Sequence, residues 1–199
     1  IMSLRRRGIR GAALTEAMVE LGTSTSNVEL AMSSVYAKNR ERVDDEADRL
    51  FLVRDGVELP VRDGPAVAEP PVHPDHPDRG RRELAVGDAV LLEPADVPPA
   101  GERVWLKGFG CVRHDGDGLA ATGDDIDVVR EGAVDVVHWV PAAAARPTKL
   151  RTADGDVSGH AEAGLAEYEP DAIVQFERVG FARVDAQSGR ETVAYFAHP

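Results

Sequence analysis

Cysteine is nearly missing from this 199-residue chain: Cys111 is the only one. A lone thiol excludes an internal disulfide framework and a cysteine-rich zinc site, and fits a reducing compartment. Lysine is almost as scarce. Lys38, Lys107 and Lys149 are the only lysines among 23 basic residues, which face 35 Asp and Glu for a formal charge of −12. Acidic side chains with little lysine suit a protein living in concentrated salt, where self-repulsion is screened within roughly 3 Å at 1 M. The other source of such a composition is a genome whose codons favour arginine. No apolar run is long enough to span a bilayer, and the arginine-rich start has no apolar signal core behind it. There is no glycine-rich phosphate loop ending in Lys-Ser/Thr and no Ser/His/Asp set in a recognisable context. Acidic pairs such as Asp124-Asp125 are too common here to single out glycosidase carboxylates. No catalytic residue is therefore assigned, and no internal repeat is legible.

Net negative charge argues against nucleic-acid binding in dilute buffer, where phosphate contacts drive affinity. In concentrated salt that counterion-release contribution has little left to give. An RNA-binding protein must then rely on local arginines, stacking and hydrogen bonds.

Periodicity divides the chain near residue 48. Leu14, Ala17, Met18 and Leu21 fall on one helical face, with Gly22 as the stop. Ser26 or Asn27 can cap a second helix with an apolar stripe of Val28, Met32, Val35, Tyr36 and Val43. Asp44-Asp45 reads as a break with a fresh N-cap. Beyond it, Arg49–Arg54 and Val57–Arg62 read as a hairpin around Asp55-Gly56. Residues 63–82 form a long Pro/Gly/His/Asp loop, a length that is uncommon without a function. Short strands are expected at 88–93, 103–107, 110–114, 125–129, 134–140, 157–161, 173–177, 180–185 and 191–196. Strands of this length and spacing point to barrels.

Four motifs carry the chemistry. Arg5, Arg6 and Arg7, with Arg10, form the densest positive cluster; guanidinium forks match phosphate oxygens, although such a run is also an ordinary solvated surface. Pro71-Val72-His73-Pro74-Asp75-His76-Pro77-Asp78-Arg79-Gly80 is a rigid extended loop, and its two histidines lack further ligands at zinc-like spacing, so no metal site is expected. Val136-Val137-His138-Trp139-Val140 reads as a packed core pair in an apolar strand. In Val174-Gln175-Phe176-Glu177-Arg178-Val179-Gly180-Phe181, Gln175 and Glu177 share a face opposite Phe176. A Gln amide and an Arg fork can bond the Watson–Crick edge of an unstacked base, or belong to a salt-bridged surface strand.

In this order, with Ser3-Leu4-Arg5-Arg6-Arg7-Gly8 leading, the motifs resemble the carboxy-terminal half of glutamyl- and glutaminyl-tRNA synthetases of the archaeal and eukaryotic type. The resemblance implies a mainly β fold: a helical segment over 1–48 following a catalytic domain, then two entwined anticodon-binding β-barrels over 49–199. It implies that Arg49, Gln175 and Arg178 read the middle anticodon base, U in both glutamate and glutamine anticodons. Asp75 is expected near the anticodon bases. Lys107 is matched to a residue handling an outer base, and Trp105 stands where the glutaminyl enzyme has a base-contacting residue. This Trp can stack a base or pack the barrel, and the departure favours the glutamyl enzyme. Arg5, Arg6, Arg7 and Arg10 are expected on the tRNA backbone. The family's two ATP-handling signatures are missing, and the chain opens directly into a motif, as a fragment does. ATP and Mg²⁺ are expected only in the parent glutamate–tRNA ligase, and this chain alone is expected to be inactive. Expected partners are glutamate tRNA, with glutamine isoacceptors left open, and the catalytic domain, in a cytoplasmic monomer. The alternatives are the glutaminyl enzyme or a free-standing β-barrel RNA-binding module.

Overall fold

Small residues decide how the helical segment packs. In the computed structural model, which describes residues 2–22 and 30–199, α1 is Met2–Arg6, α2 Gly11–Glu20 and α3 Met32–Val43. The buried face of α2 is Ala13 and Ala17, while Met18 is 57 % exposed. The stripe expected through Met18 and Leu21 is thus rotated, because alanines let α2 lie close against α3. On α3 the buried residues are Val35, Asn39 and Val43. The expected Ser26 or Asn27 cap and Val28 lie outside the described residues. Asp44-Asp45 opens no new helix: Asp44 caps the C-terminal end of α3, its N–H donating to Arg40 O (2.9 Å). Asn39 ties the segment to both ends of the fold, accepting from Arg10 N–H (2.8 Å) and lying 3.0 Å from His198 Nε2.

Strands then follow in two sets of seven. The first is β1 (Asp48–Leu50), β2 (Leu52–Arg54), β3 (Val57–Arg62), β4 (Ala89–Leu92), β5 (Arg103–Leu106), β6 (Gly110–His114) and β7 (Leu119–Gly123). The second is β8 (Val136–Val137), β9 (Val140–Pro141), β10 (Arg146–Arg151), β11 (Asp156–Ala161), β12 (Ile173–Phe176), β13 (Gly180–Gln187) and β14 (Thr192–His198). A two-stranded ribbon, 67–68 with 84–85, closes the Pro-rich loop. Three expected strands change, Arg49–Arg54 first, which is broken at Phe51 into β1 and β2. Residues 125–129 are not a strand but lead into a helical turn, α4 (Asp127–Arg130), because Asp125 Oδ1 accepts the N–H of Asp127 (3.1 Å). Residues 134–140 split into β8 and β9. Leu119–Gly123 and Arg146–Arg151, unmarked by apolar alternation, are strands through pairing with distant partners.

The two sheets share one topology. Their orders are β1-β12-β13-β14-β10-β11-β2 and β8-β5-β6-β7-β3-β4-β9, so every strand corresponds to the one seven later or earlier. Residues 48–123 and 136–198 are therefore structural repeats that exchange their first two strands, and an internal repeat exists where none was legible. Asp55-Gly56 is consequently no hairpin. β2 pairs with β11 and β3 with β4, so the turn carries the chain from one sheet to the other. Since only Phe51 separates β1 from β2 at opposite edges of one sheet, that sheet curls until its edges meet. Of the two barrel-like sheets, one is nearly closed and the other a half-barrel.

The exchanged strands serve two cores. Leu50 and Leu52 enter the core with Leu150, Val174 and Phe176, while Phe51 and Val53 enter the one with Leu106, Leu119 and Trp139, as period-two alternation requires. A third core joins α2 and α3 to Phe181 and Ala197.

Candidate nucleic-acid interface

The turns that follow β5 and β12 are equivalent and meet at the seam between the sheets. Lys107 N–H donates to Val137 O (3.1 Å), and Glu177 N–H donates to Leu50 O (3.0 Å). These equivalent residues, Lys107 and Glu177, are ion-paired with each other. Phe51 and His138, also equivalent, stack with centroids 4.9 Å apart. Each contact joins a residue to its own counterpart, so an approximate two-fold axis runs through the seam. Burial of His138 pushes its imidazole down to about 4, helped by Lys107 and Arg178 and opposed by Glu177. Trp139 donates its Nε1–H to Lys107 O (3.0 Å). His138-Trp139 is thus a packed pair, as its apolar strand suggests.

Two arginine forks line the same seam. Arg178 donates NH1 and NH2 to Asp96 Oδ2 (2.6 Å) and Oδ1 (2.9 Å). Arg54 donates Nε and NH2 to Glu93 Oε1 (2.8 Å) and Oε2 (3.0 Å). Both acids lie just after β4 in one sheet, and both arginines belong to the other.

A second site lies below the end of α3. Arg49 and Gln175 are register partners in the parallel pair β1–β12, with Phe181 opposite Gln175 on β13. The Arg49 guanidinium is buried, donating to Ala47 O (3.0 Å), Asp44 O (3.3 Å) and Asp44 Oδ1 (3.0 Å). The Pro-rich loop docks here too: Arg49 N–H donates to Val72 O (2.9 Å). His73, fully buried, accepts Asp75 N–H at Nδ1 (3.1 Å), so its proton sits on Nε2 and is donated to Asp44 O (3.0 Å). Asp44, His73 and Asp75 have the donor types of a cation site within 4.8 Å. Both imidazole nitrogens are nevertheless occupied, and the Asp44 carboxylate already holds Arg49. Asp75 itself is exposed.

The expected site residues therefore divide. Arg49, Gln175 and the Asp75 loop come together under α3, whereas Arg178 and Lys107 lie at the seam, each paired with an acid. Trp105 packs with Cys111 and Val134 beneath Val128 and Val129 and is only 8 % exposed. A buried indole offers no free face for stacking, which takes Trp105 off the list of base platforms. In the basic cluster, Arg7 is a structural clamp on Phe196 O (2.9 Å) and Ala197 O (2.5 Å). Its neighbours are outward: Arg5 is exposed, Arg6 is 3.4 Å from Asp185 and Arg10 is 3.9 Å from Glu46. Arg5 and Arg6 line a cleft of about 720 Å³ beside α1 with Arg183 and Tyr195.

Sequence reasoning missed Arg54, Glu93 and Asp96, and also the buried pair Arg82–Glu162, whose carboxylate further accepts Phe51 N–H (2.7 Å). No local signal marks them. Asp96 and Arg178 are 82 residues apart, and acids are everywhere in this chain.

Comparison with known proteins agrees with this architecture. Residues 47–130 and 136–185 each match a family described as tRNA synthetases class I (E and Q), anti-codon binding domain. The chain is similar over its whole length to glutamate–tRNA ligases of Natronomonas pharaonis (67 % identical), Halobacterium salinarum (60 %) and Methanosarcina barkeri (41 %). It spans about a third of their length, 35 %, 36 % and 35 % respectively. The acid-rich, lysine-poor composition accords with the haloarchaeal relatives among them. With one matched segment falling on each of its two structural repeats, the chain belongs to the anticodon-binding domain family of the class I glutamyl- and glutaminyl-tRNA synthetases.

Proposed function

We propose that this chain is the tRNA-reading part of a glutamate–tRNA ligase. Residues 1–48 form its helical link to a catalytic portion, and 49–199 are two entwined anticodon-binding barrels. Activation of glutamate with ATP and Mg²⁺, and its transfer to tRNA, are assigned to the part of the relatives that this chain does not span. The working protein is a cytoplasmic monomer. Its catalytic contribution is positional: holding the anticodon commits the acceptor end to a distant active site.

One observation carries the reading. Gln175 and the Asp75 loop, from separated stretches, converge under α3, with Arg49 buried beside them as a support whose donors are already spent on Asp44 and Ala47. An unstacked base lying against Gln175 could be hydrogen-bonded along its edge. Arg178 extends the same hairpin toward the seam, Lys107 supports the outer-base side, and Arg5, Arg6 and Arg10 face the inner backbone.

The test is binding of anticodon stem-loop RNAs of the glutamate isoacceptor, with U or C at the middle position, in molar KCl. Wild type should prefer U, and Gln175→Ala or Arg178→Ala should each cut that preference about tenfold, the scale of one good base-edge contact. Equal affinity of the wild-type chain for both RNAs would remove the reading.

A further inference from the structure

Arg178 occupies a backbone position that suits glycine. Its φ is 62°, and its counterpart in the first repeat is Gly108, with φ 79°. A non-glycine residue held there is strained. Its ion pair alone is a poor reason to retain it, since a half-exposed pair stabilises little. What the pair does provide is direction. Asp96 is only 9 % exposed at its side chain and spends both carboxylate oxygens on Arg178, whose own side chain stays 50 % exposed. The guanidinium is thereby held at one edge through NH1 and NH2, which leaves its Nε–H outside the pair. Arg54, with its side chain 44 % exposed, is held by Glu93 at its other edge, through Nε and NH2. Both guanidiniums line a groove of about 380 Å³ that also presents Arg7, Tyr36 and Phe196. A planar cation held at one edge is a surface on which an unpaired base can stack, and the Arg178 Nε–H left out of the pair can donate to that base's edge, the contact that tells U from C. Directed contacts of this kind persist in salt that screens phosphate attraction.

We propose that Asp96 and Glu93 are positioning residues: carboxylates from one sheet that hold Arg178 and Arg54 of the other face-out on a groove that takes an unstacked RNA base. The proposal rests on the anticodon-binding reading and adds the two acids of the facing sheet to the residues on which recognition depends. Reading a base then requires both sheets, although the acids themselves touch no RNA.

The experiment uses the full chain in molar KCl, with the middle-U and middle-C stem-loops as probes and a thermal melt of each variant. In Asp96→Asn the preference for U should fall about tenfold, while affinity for the middle-C RNA holds or rises, because a guanidinium has been released. A merely structural role would instead weaken both RNAs equally and leave the ratio unchanged. The double variant Asp96→Asn/Arg178→Ala should discriminate no worse than Arg178→Ala alone. If Asp96→Asn does not fold, Asp96→Glu keeps the charge but displaces the carboxylate, and the same loss is expected. An intact ratio in the folded Asp96 variant, alongside a reduced ratio in Arg178→Ala, would overturn the positioning role and leave the anticodon reading standing. A wild-type chain without preference would remove both.

Discussion

His138 has the packed environment its apolar strand suggests, and burial there works against its charged form. In the chain it is one polar residue in an apolar strand; in the fold it is stacked on its own counterpart, Phe51, and held neutral at the seam. Its depressed value sets a sign. Between the ordinary 6.5 and about 4, the unfolded chain binds a proton that the folded one refuses. Stability is therefore fully present above 6.5, falls as pH drops through that window, and levels off for this group below it. The loss is on the order of 3 kcal/mol at most. His198 is shifted the same way by burial, so it contributes in the same direction. Melting temperature against pH at constant molar KCl should decline toward pH 4, and His138→Phe should flatten the decline. A variant profile parallel to wild type would show that His138 is not the titrating group.

At the scale of elements, the hairpin turns show how one backbone geometry tolerates two sequences. The stretches Arg103–Arg113 and Ile173–Arg183 share only Val104/Val174, Gly110/Gly180 and Arg113/Arg183. Glycine is needed because φ is 129° at Gly110 and 134° at Gly180. A Cβ would strike Gly123 O at 2.8 Å in the first and His198 O in the second. The other turn positions carry different side chains in the two repeats, which is why the repeat left no pattern to read. Gly180→Ala is expected to destabilise the fold by about 2–4 kcal/mol, combining strain and steric displacement. Gly164→Ala, with open space around it, should change stability by no more than ~0.5 kcal/mol. Denaturant titration of both variants checks the contrast; equal stability would mean that β13 and β14 do not approach as described. The same logic explains the Asp55-Gly56 reading. The dipeptide does mark a turn, with Asp55 at φ 50°, but a turn signal cannot say whether the next strand pairs backward or joins another sheet.

For the whole molecule, charge is the governing quantity. A formal charge of −12 repels itself in dilute buffer and is screened in molar salt. Several arginines are nevertheless committed to internal ion pairs, among them Arg82, Arg178 and Arg183. Melting temperature should fall when KCl is lowered from molar to ~0.1 M, where the screening length grows to about 10 Å. An unchanged melting temperature would mean that the acidic surface is neutral to stability. The binding consequence is that selectivity for the middle base should outlast overall affinity as salt rises, because directed hydrogen bonds and stacking are screened less than phosphate contacts.

What the sequence determined alone was local and compositional: the helical opening, the strand-rich remainder, the order of the motifs, and the acid-rich, lysine-poor charge balance. These follow from periodicity, turn residues and charge counts, each confined to a short window of chain. Partner choice was decided only by the tertiary structure. Which sheet β2 and β3 join, which acid holds Arg178, that Arg49 turns inward under α3 and that Trp105 is covered by α4 all depend on residues tens of positions away. The exchange of first strands between the repeats makes nearly every important contact non-local, and no window of sequence contains both halves of such a contact.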